Sequence, residues 1–439
     1  MWLSWTGDQN VFVKSLHDRY GPVVRIGPNE VSIADVDAVT SVLGASGLPK
    51  GQYYDARRDP NAPGNLISMR GEDHANRRRL WNRGMSTESL KHYEEVIANR
   101  AQQLVEQLQS STGPVDLARW IGFFTFDFMG DMAFGGGFTM LEDGGDRAGL
   151  WEVLERFAIM VAVVCHIPWA SQTLQMLPAV SRDIKTLRKV GIESATNRIK
   201  SGSTSKDLWY HLSDEAGLEK VKPPMKNVIA DGALAIIAGA DTTASAMASL
   251  FYLLLSHPEY YKLLREEVDT VFPPGEDPLD TSKHNELTFM NACINETLRL
   301  QPPVPTSGPR VVPRDSSGKV IADRYIPPGT QVYVPPYSLH RDPRYFSPSP
   351  ERFMPERWLD PKLQPNANAF IPFSYGPANC VGKQLAKQEM LMVTSLLIQK
   401  LDIDFAIDGG FNPRLWPERL KDYFVTIRDP LMVKVTSRQ

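Results

Sequence analysis

The sequence predicts a mainly α-helical fold with small β-sheets, built as one large domain over residues 1–439. Three observations carry that expectation. Apolar residues recur at helical spacing from about Gly71 to Leu300. Short β-prone runs flank that stretch on both sides. No internal repeat or low-complexity linker divides the chain. With 439 residues, 42% of them hydrophobic, it can bury a substantial core. Its formal net charge of -3 gives no general attraction to nucleic acid, so no nucleic-acid partner is expected. Cys165, Cys293 and Cys380 are odd in number and far apart, which argues against a disulfide framework and for a reducing compartment.

The N-terminal string "MWLSWTGDQNVFVKSLHDRYG" has no long apolar run and carries charges throughout, so the chain as it stands reads as soluble. "VVRIGPNEVSIAD" sets two β-prone runs around Gly27-Pro28-Asn29, a hairpin pattern. The helical stretch that follows is broken by turn clusters such as "EDGGDRAG" and "SGSTSK". Its most apolar part, Val228 to Ser256, contains Asp231 and Asp241, whose charges suit a buried core helix better than lipid. Half of the 34 prolines fall between Pro302 and Pro377 and exclude long helices there, leaving extended strands and ordered loops. A helix returns over about Val381 to Leu401, and "DYFVTIRDPLMVKV" reads as a closing β-hairpin.

The chemistry centres on Cys380 in "FSYGPANCVGKQLA". Gly376 and Pro377 form a turn that brings the cysteine to the start of the next helix, whose free N–H groups favour a thiolate. Gly382 leaves room for something flat against the backbone. Such a thiol can be a nucleophile, a structural group or the protein ligand of a haem iron. The pattern Phe373-x-x-Gly376-x-x-x-Cys380-x-Gly382-x-x-x-Ala386 resembles the haem-binding loop of the cytochrome P450 family. The resemblance implies haem b, with Cys380 as the iron's proximal ligand, Phe373 packed near the sulfur, and Gly382 and Ala386 letting the helix approach the macrocycle. One departure stands out: the family usually has a basic residue where this chain has Ala378, so one propionate contact is missing.

Further strings follow the family's order. "ETLR" puts Glu296 and Arg299 on one helix face. By resemblance they form a structural triad with Arg357 of "PERW", and Arg352 of the near-duplicate "PERF" is the less favoured partner. In "AGADTT", Gly239 and the buried acid could kink the helix and open a notch, or Thr242 could simply bond back to a carbonyl. The string resembles the family's oxygen-activation segment, which implies that Ala238 lies against the haem, Thr242 assists oxygen activation and Asp241 passes protons from solvent. His74 and Arg78 lie four apart on a helix, on a face shared with Trp81 and Met85. They look like the family's propionate-holding pair, and Arg310 in "SGPRVVP" like a third propionate donor. Arg77, Arg79 and Arg83, with Lys383 and Lys387, form a candidate basic patch for an acidic electron donor.

The resemblance therefore implies a haem-thiolate monooxygenase that takes electrons from NADPH-cytochrome reductase, with a cytochrome b-type donor as a second source, and uses dioxygen to oxidise a lipophilic small molecule. "LHDRYGPVVRIGPNEVSI" is most similar to filamentous-fungal members, which points to secondary metabolism and a terpenoid or polyketide substrate. Such members usually begin with a membrane anchor, so the expected location is the cytosolic face of the endoplasmic reticulum, the anchor missing here. The expected pocket segments are Tyr53 to Met69, Phe157 to Val180, Ile236 to Thr242, Val304 to Gly308 and Tyr423 to Val425. Two rival readings are a haem-thiolate sensor or binding protein without oxygenation, and a cysteine hydrolase pairing Cys380 with a base such as His340.

Overall fold

A computed structural model describes residues 2–57, 63–171, 173, 178–203 and 205–438. Helix α1 (Gln9–Tyr20) leads into the antiparallel hairpin β1 (Val23–Gly27) and β2 (Glu30–Ile33), which pairs Val23 with Ile33 as its sequence suggests. The helical stretch then begins with α2 (Gly71–Gly84) and α3 (Thr87–Ser110), the second started by the Ser86 hydroxyl accepting from the Ser89 N–H. After the short β3 (Val115–Asp116) come α4 (Leu117–Phe134), α5 (Leu150–Val164), α6 (Pro178–Ser201), α7 (Met225–Ser256), α8 (Pro258–Val271) and α9 (Thr288–Leu300). Pro258 at the first position of α8 fixes the break from α7, because it has no N–H to continue the previous helix.

Helix α7 is long and apolar enough to cross a membrane, yet most of it is buried inside the fold. Its internal acid Asp231 is neutralised there by Arg77 of α2 at 2.6 Å. The helix runs from Met225 to Ser256 without interruption, so the notch expected at Gly239 does not break it. Gly239 instead permits close packing on α4: a Cβ at this position would lie 2.6 Å from the Met129 sulfur.

The proline-rich stretch forms β4 (Arg310–Val311), β5 (Lys319–Ile321), β6 (Arg324–Ile326) and β7 (Gln331–Tyr333) joined by ordered loops. β7 lies between β2, parallel to it, and β4, antiparallel to it. An isolated bridge from Lys50 to Arg310 extends this edge and brings two distant basic residues together. Helix α10 (Lys383–Lys400) runs directly into β8 (Leu401–Phe405).

The C-terminus departs from the single hairpin expected. β9 (Lys421–Tyr423) and β10 (Val425–Ile427) pair through Phe424, whose φ is 76°, whereas β11 (Met432–Ser437) joins β8 and β3 in another sheet. Pro430 lies between them and cannot donate a ladder hydrogen bond, which separates the two pairings.

Candidate active site

The loop before α10 is fixed from both sides. Gly376 has φ 73° and passes so close to the Leu43 carbonyl that a Cβ there would lie 2.1 Å from its oxygen. The Cys380 N–H donates to the Phe373 carbonyl at 2.9 Å. From α2, Arg78 donates to Asn379, at 2.6 Å to its carbonyl and 2.8 Å to its side-chain oxygen. Cys380 thus precedes Gly382, the residue that starts α10, and its side chain is exposed onto an internal cavity of about 350 Å³.

That cavity collects most of the residues singled out from the sequence. His74, Arg78, Ala238, Thr242, Arg310, Phe373, Cys380, Gly382 and Ala386 all line it, as do Trp81 and Met85. The Thr242 hydroxyl donates to the Ala238 carbonyl at 2.7 Å, one turn back along α7. Asp241 does not line this cavity. Its side chain faces a small neighbouring void beside Trp151 and Glu155, with Arg428 Nη2 at 4.0 Å. Burial raises its pKa, opposed by the Arg428 charge.

Two other expectations are corrected. Of the stretch Phe157 to Val180, no described residue lines the cavity; Phe157, Met160, Val161 and Val164 pack behind it against Tyr53 and Tyr54. Residues 58–62, 172 and 174–177 of the expected pocket segments lie outside the described residues. Of the candidate basic patch, Arg77 is buried on Asp231, while Arg79 and Arg83 both bind Glu219 at 2.5 Å. Lys383 and Lys387 remain without an acidic partner among the described residues.

Below the site, Glu296, Arg299 and Arg357 form one fully buried cluster. Arg299 grips Glu296 with two bonds of 2.8 Å, and Arg357 reaches it at 3.4 Å. The guanidiniums also donate to the carbonyls of His340, Phe346, Pro348 and Arg352, whereas the Arg352 side chain is exposed. His340 is committed elsewhere: its Nδ1 meets the Arg299 carbonyl and its Nε2 accepts from the Ile371 N–H at 2.9 Å. Burial depresses its pKa to about 3. It cannot serve Cys380 as a base, which removes the pairing with His340.

Among the charged residues of the cavity wall, Lys50 and Glu389 escaped the sequence reading, and Arg57 was covered only as part of the segment Tyr53 to Met69. Lys50 is buried, donates to the Leu66 carbonyl at 2.7 Å, and has its pKa lowered to about 7 by burial and then by Arg310, Arg70 and Arg78. His74 is pushed to about 4 by burial and by the charges of Lys50, Arg78 and Arg310. Glu389 is the one carboxyl among the described lining residues, and burial raises its pKa well above the ordinary carboxyl value.

These features fit haem. Lys50, His74, Arg78 and Arg310 form a cluster of basic groups with no anion of the cavity wall to pair with, and Arg310 Nε is buried without a partner. The two propionates of haem would supply the missing charge. A Cβ on Gly382 would meet nothing nearer than the Cys380 sulfur at 4.0 Å, so the glycine leaves the space beside the sulfur open. The thiol itself is held up by burial, with the Gly382 N–H, Arg78 and Lys383 acting the other way. The helix N-terminus alone therefore does not make the thiolate; a bound iron would complete it.

Comparison with known proteins agrees. The family model "Cytochrome P450" matches residues 1–435. "Cytochrome P450 monooxygenase FCK2" of Fusarium pseudograminearum is 34% identical over 97% of this chain and 77% of its own length. "Cytochrome P450 67" of Uromyces fabae is 31% identical over 99% and 83%. "Tryprostatin B 6-hydroxylase" of Aspergillus fumigatus is 30% identical over 100% and 78%. With its cysteine facing a basic, otherwise apolar cavity and relatives along nearly its whole length, the chain belongs to the cytochrome P450 family of haem-thiolate enzymes.

Proposed function

We propose that this monooxygenase oxidises a lipophilic small molecule of fungal secondary metabolism, terpenoid or polyketide in type, with Cys380 as the iron ligand. The observation that carries the reading is the convergence of the Cys380 sulfur, the Thr242 hydroxyl and the unpaired basic cluster on one mostly apolar cavity. Haem, when bound, supplies the redox chemistry that splits dioxygen and inserts one of its atoms into the substrate.

The chain's own residues bind, orient and move protons. Lys50, His74, Arg78 and Arg310 would hold the propionates, Lys50 making up for Ala378. The Gly382 N–H, Arg78 and Lys383 stabilise negative charge on the sulfur. Leu66, Ile67, Leu234, Val304, Phe424 and Val425 exclude water and favour a lipophilic substrate. The Thr242 oxygen retains lone pairs with which to accept a bond in the cavity while it donates to Ala238. Asp241, whose pKa burial raises, would reload that hydroxyl from the Arg428 side through water rather than by direct contact. The relative named for 6-hydroxylation of tryprostatin B supports hydroxylation as the reaction type.

Electrons would come from NADPH-cytochrome reductase, or a cytochrome b-type donor, docking near Lys383 and Lys387. Contact with a membrane surface, which a position on the cytosolic face of the endoplasmic reticulum requires, is supported by the exposed Trp2, Trp5 and Trp169, side chains suited to a membrane interface. Flotation with lipid vesicles tests it: the native chain should float, and replacing the three tryptophans by serine should release it. The function as a whole is tested by the carbon monoxide difference spectrum of the reduced protein, then by product formation from a lipophilic panel with reductase and NADPH. A thiolate-type spectrum lost in Cys380→Ser is expected. A native protein without that spectrum after haem is supplied would overturn the reading.

A further inference from the structure

The cavity holds one more fixed charge, set apart from the basic cluster. Arg57 ends the turn of helix Gln52–Arg57 and lines the cavity beside Tyr54, Phe424 and Val425. Its guanidinium carbon lies 3.9 Å from the Phe424 ring centroid, and one terminal nitrogen donates to the Tyr53 hydroxyl at 3.3 Å. Its Nε is buried without a partner among the described residues. The charges that act on Lys50 and His74 are those of Arg70, Arg78 and Arg310, while Arg57 acts instead on Tyr53, Cys165 and Asp422.

Among the described residues no group forms an ion pair with Arg57. Burial raises the Tyr53, Tyr54 and Cys165 pKa values and lowers His166 to about 4, so all four are uncharged near neutral pH. Among the described residues, Asp422 is a carboxyl whose charge reaches Arg57, without direct contact. Its two oxygens are already taken, one by the Thr306 hydroxyl and one by the Phe424 N–H at 3.0 Å, and no ion pair joins it to Arg57 among the described residues. A guanidinium cannot shed its proton, and a half-buried charge with no directly paired counter-ion is left free to take one from a ligand.

We propose that Arg57 recognises an anionic oxygen group, a carboxylate or its equivalent, on an otherwise lipophilic substrate. The proposal rests on the monooxygenase reading of the same cavity. The guanidinium offers parallel N–H groups that match a carboxylate two-for-two, and the Phe424 ring holds its plane. The neighbouring Tyr54, Phe424 and Val425 take the apolar body of the ligand. Placing the anion at one end of a water-poor cavity fixes which carbon of the substrate is presented for oxidation.

The test uses the haem-loaded enzyme and ω-imidazolyl alkanoic acids of graded chain length, each paired with its methyl ester. The imidazole binds the iron and reports by its spectral shift; the tail samples the cavity. For at least one length the native enzyme should bind the acid about tenfold more tightly than the ester, equivalent to about 1.4 kcal/mol. Arg57→Met should shrink that preference to less than about twofold while the alkylimidazole without an acid binds unchanged, and Arg57→Lys should keep part of it. Equal binding of acid and ester at every length, or a preference that survives Arg57→Met, overturns the proposal. Failure of the monooxygenase reading looks different: no thiolate-type spectrum and no imidazole shift with either partner, in which case the proposal falls with it.

Discussion

Arg78 holds Asn379 by both its backbone and its side-chain oxygen, at 2.6 and 2.8 Å, one residue before the sulfur of Cys380. Helix α2 therefore sets the position of the ligand loop directly, and does so with charge-assisted bonds. Each such bond contributes about 1.5–3 kcal/mol. Arg78→Met is expected to lower the haem-to-protein ratio on purification and to convert part of the carbon monoxide spectrum to the inactive thiol form. If Arg78 served only the propionates, haem content would fall without that spectral change.

Lys50 makes haem uptake depend on pH. In the polypeptide alone burial and the Arg310, Arg70 and Arg78 charges lower its pKa to about 7, and a propionate beside it would raise that value. At Lys50 haem binding then takes up a proton, against the one Cys380 gives up on becoming the ligand, so the Lys50 contribution to affinity should be fullest below about pH 7 and decline as pH rises above it. Lys50→Met should flatten this dependence in haem titrations of the apoprotein. Haem dimethyl ester, which has no propionate charge, should show none of it with the native chain.

The buried triad predicts an asymmetry between two neighbouring arginines. Removing Arg357 leaves part of the Glu296 charge uncompensated in a fully buried setting, which costs about 3–5 kcal/mol. The exposed Arg352 side chain contributes within about 0.5 kcal/mol, although its carbonyl accepts from Arg299. Arg357→Met should accordingly yield little soluble holoprotein, and Arg352→Met should match the native urea midpoint.

Thr242 separates oxygenation from mere haem binding. Thr242→Ala removes the hydroxyl that faces the cavity while leaving the Ala238 carbonyl to its helix. Product per NADPH consumed should fall several-fold and peroxide should account for the difference. A haem-carrying sensor would show unchanged ligand binding and no NADPH-linked product in either protein.

Much of this site could be read locally, because its parts are patterned at short range. His74 and Arg78 share a helix face at four-residue spacing, and the Gly376, Cys380 and Gly382 positions encode a turn, a thiol and an open space. Asp241 belongs to the expected lining segment Ile236 to Thr242 but lies off the cavity, because adjacent helix positions diverge by about 100° and the residue next to Thr242 turns toward Arg428. Lys50 and Arg57 carry no such signal. Lys50 reaches the site through a bridge to Arg310, far along the chain, and Arg57 through the β9–β10 turn at Phe424. The division of the C-terminal strands between two sheets was likewise decided by long-range pairing once Pro430 had interrupted the run.

Glu389 of α10 supplies the last prediction. It lines the cavity, is almost completely buried, and its Oε2 has no hydrogen-bond partner. Burial is the whole cause of a pKa raised well above the ordinary 4.5. Below about pH 4.5 both folded and unfolded chains are protonated, and the group costs the fold little. As pH rises past that value the unfolded chain ionises while the folded one keeps its proton, so stability declines by about 1.4 kcal/mol per pH unit until the folded group also ionises. Glu389→Gln, close in shape and always neutral, removes that slope. The difference in urea midpoint between variant and native holoenzyme, followed by haem absorbance, should widen in the variant's favour from pH 5 to pH 8. A difference independent of pH would mean that Glu389 is ionised in the folded protein, held by a counter-charge that the described residues do not include.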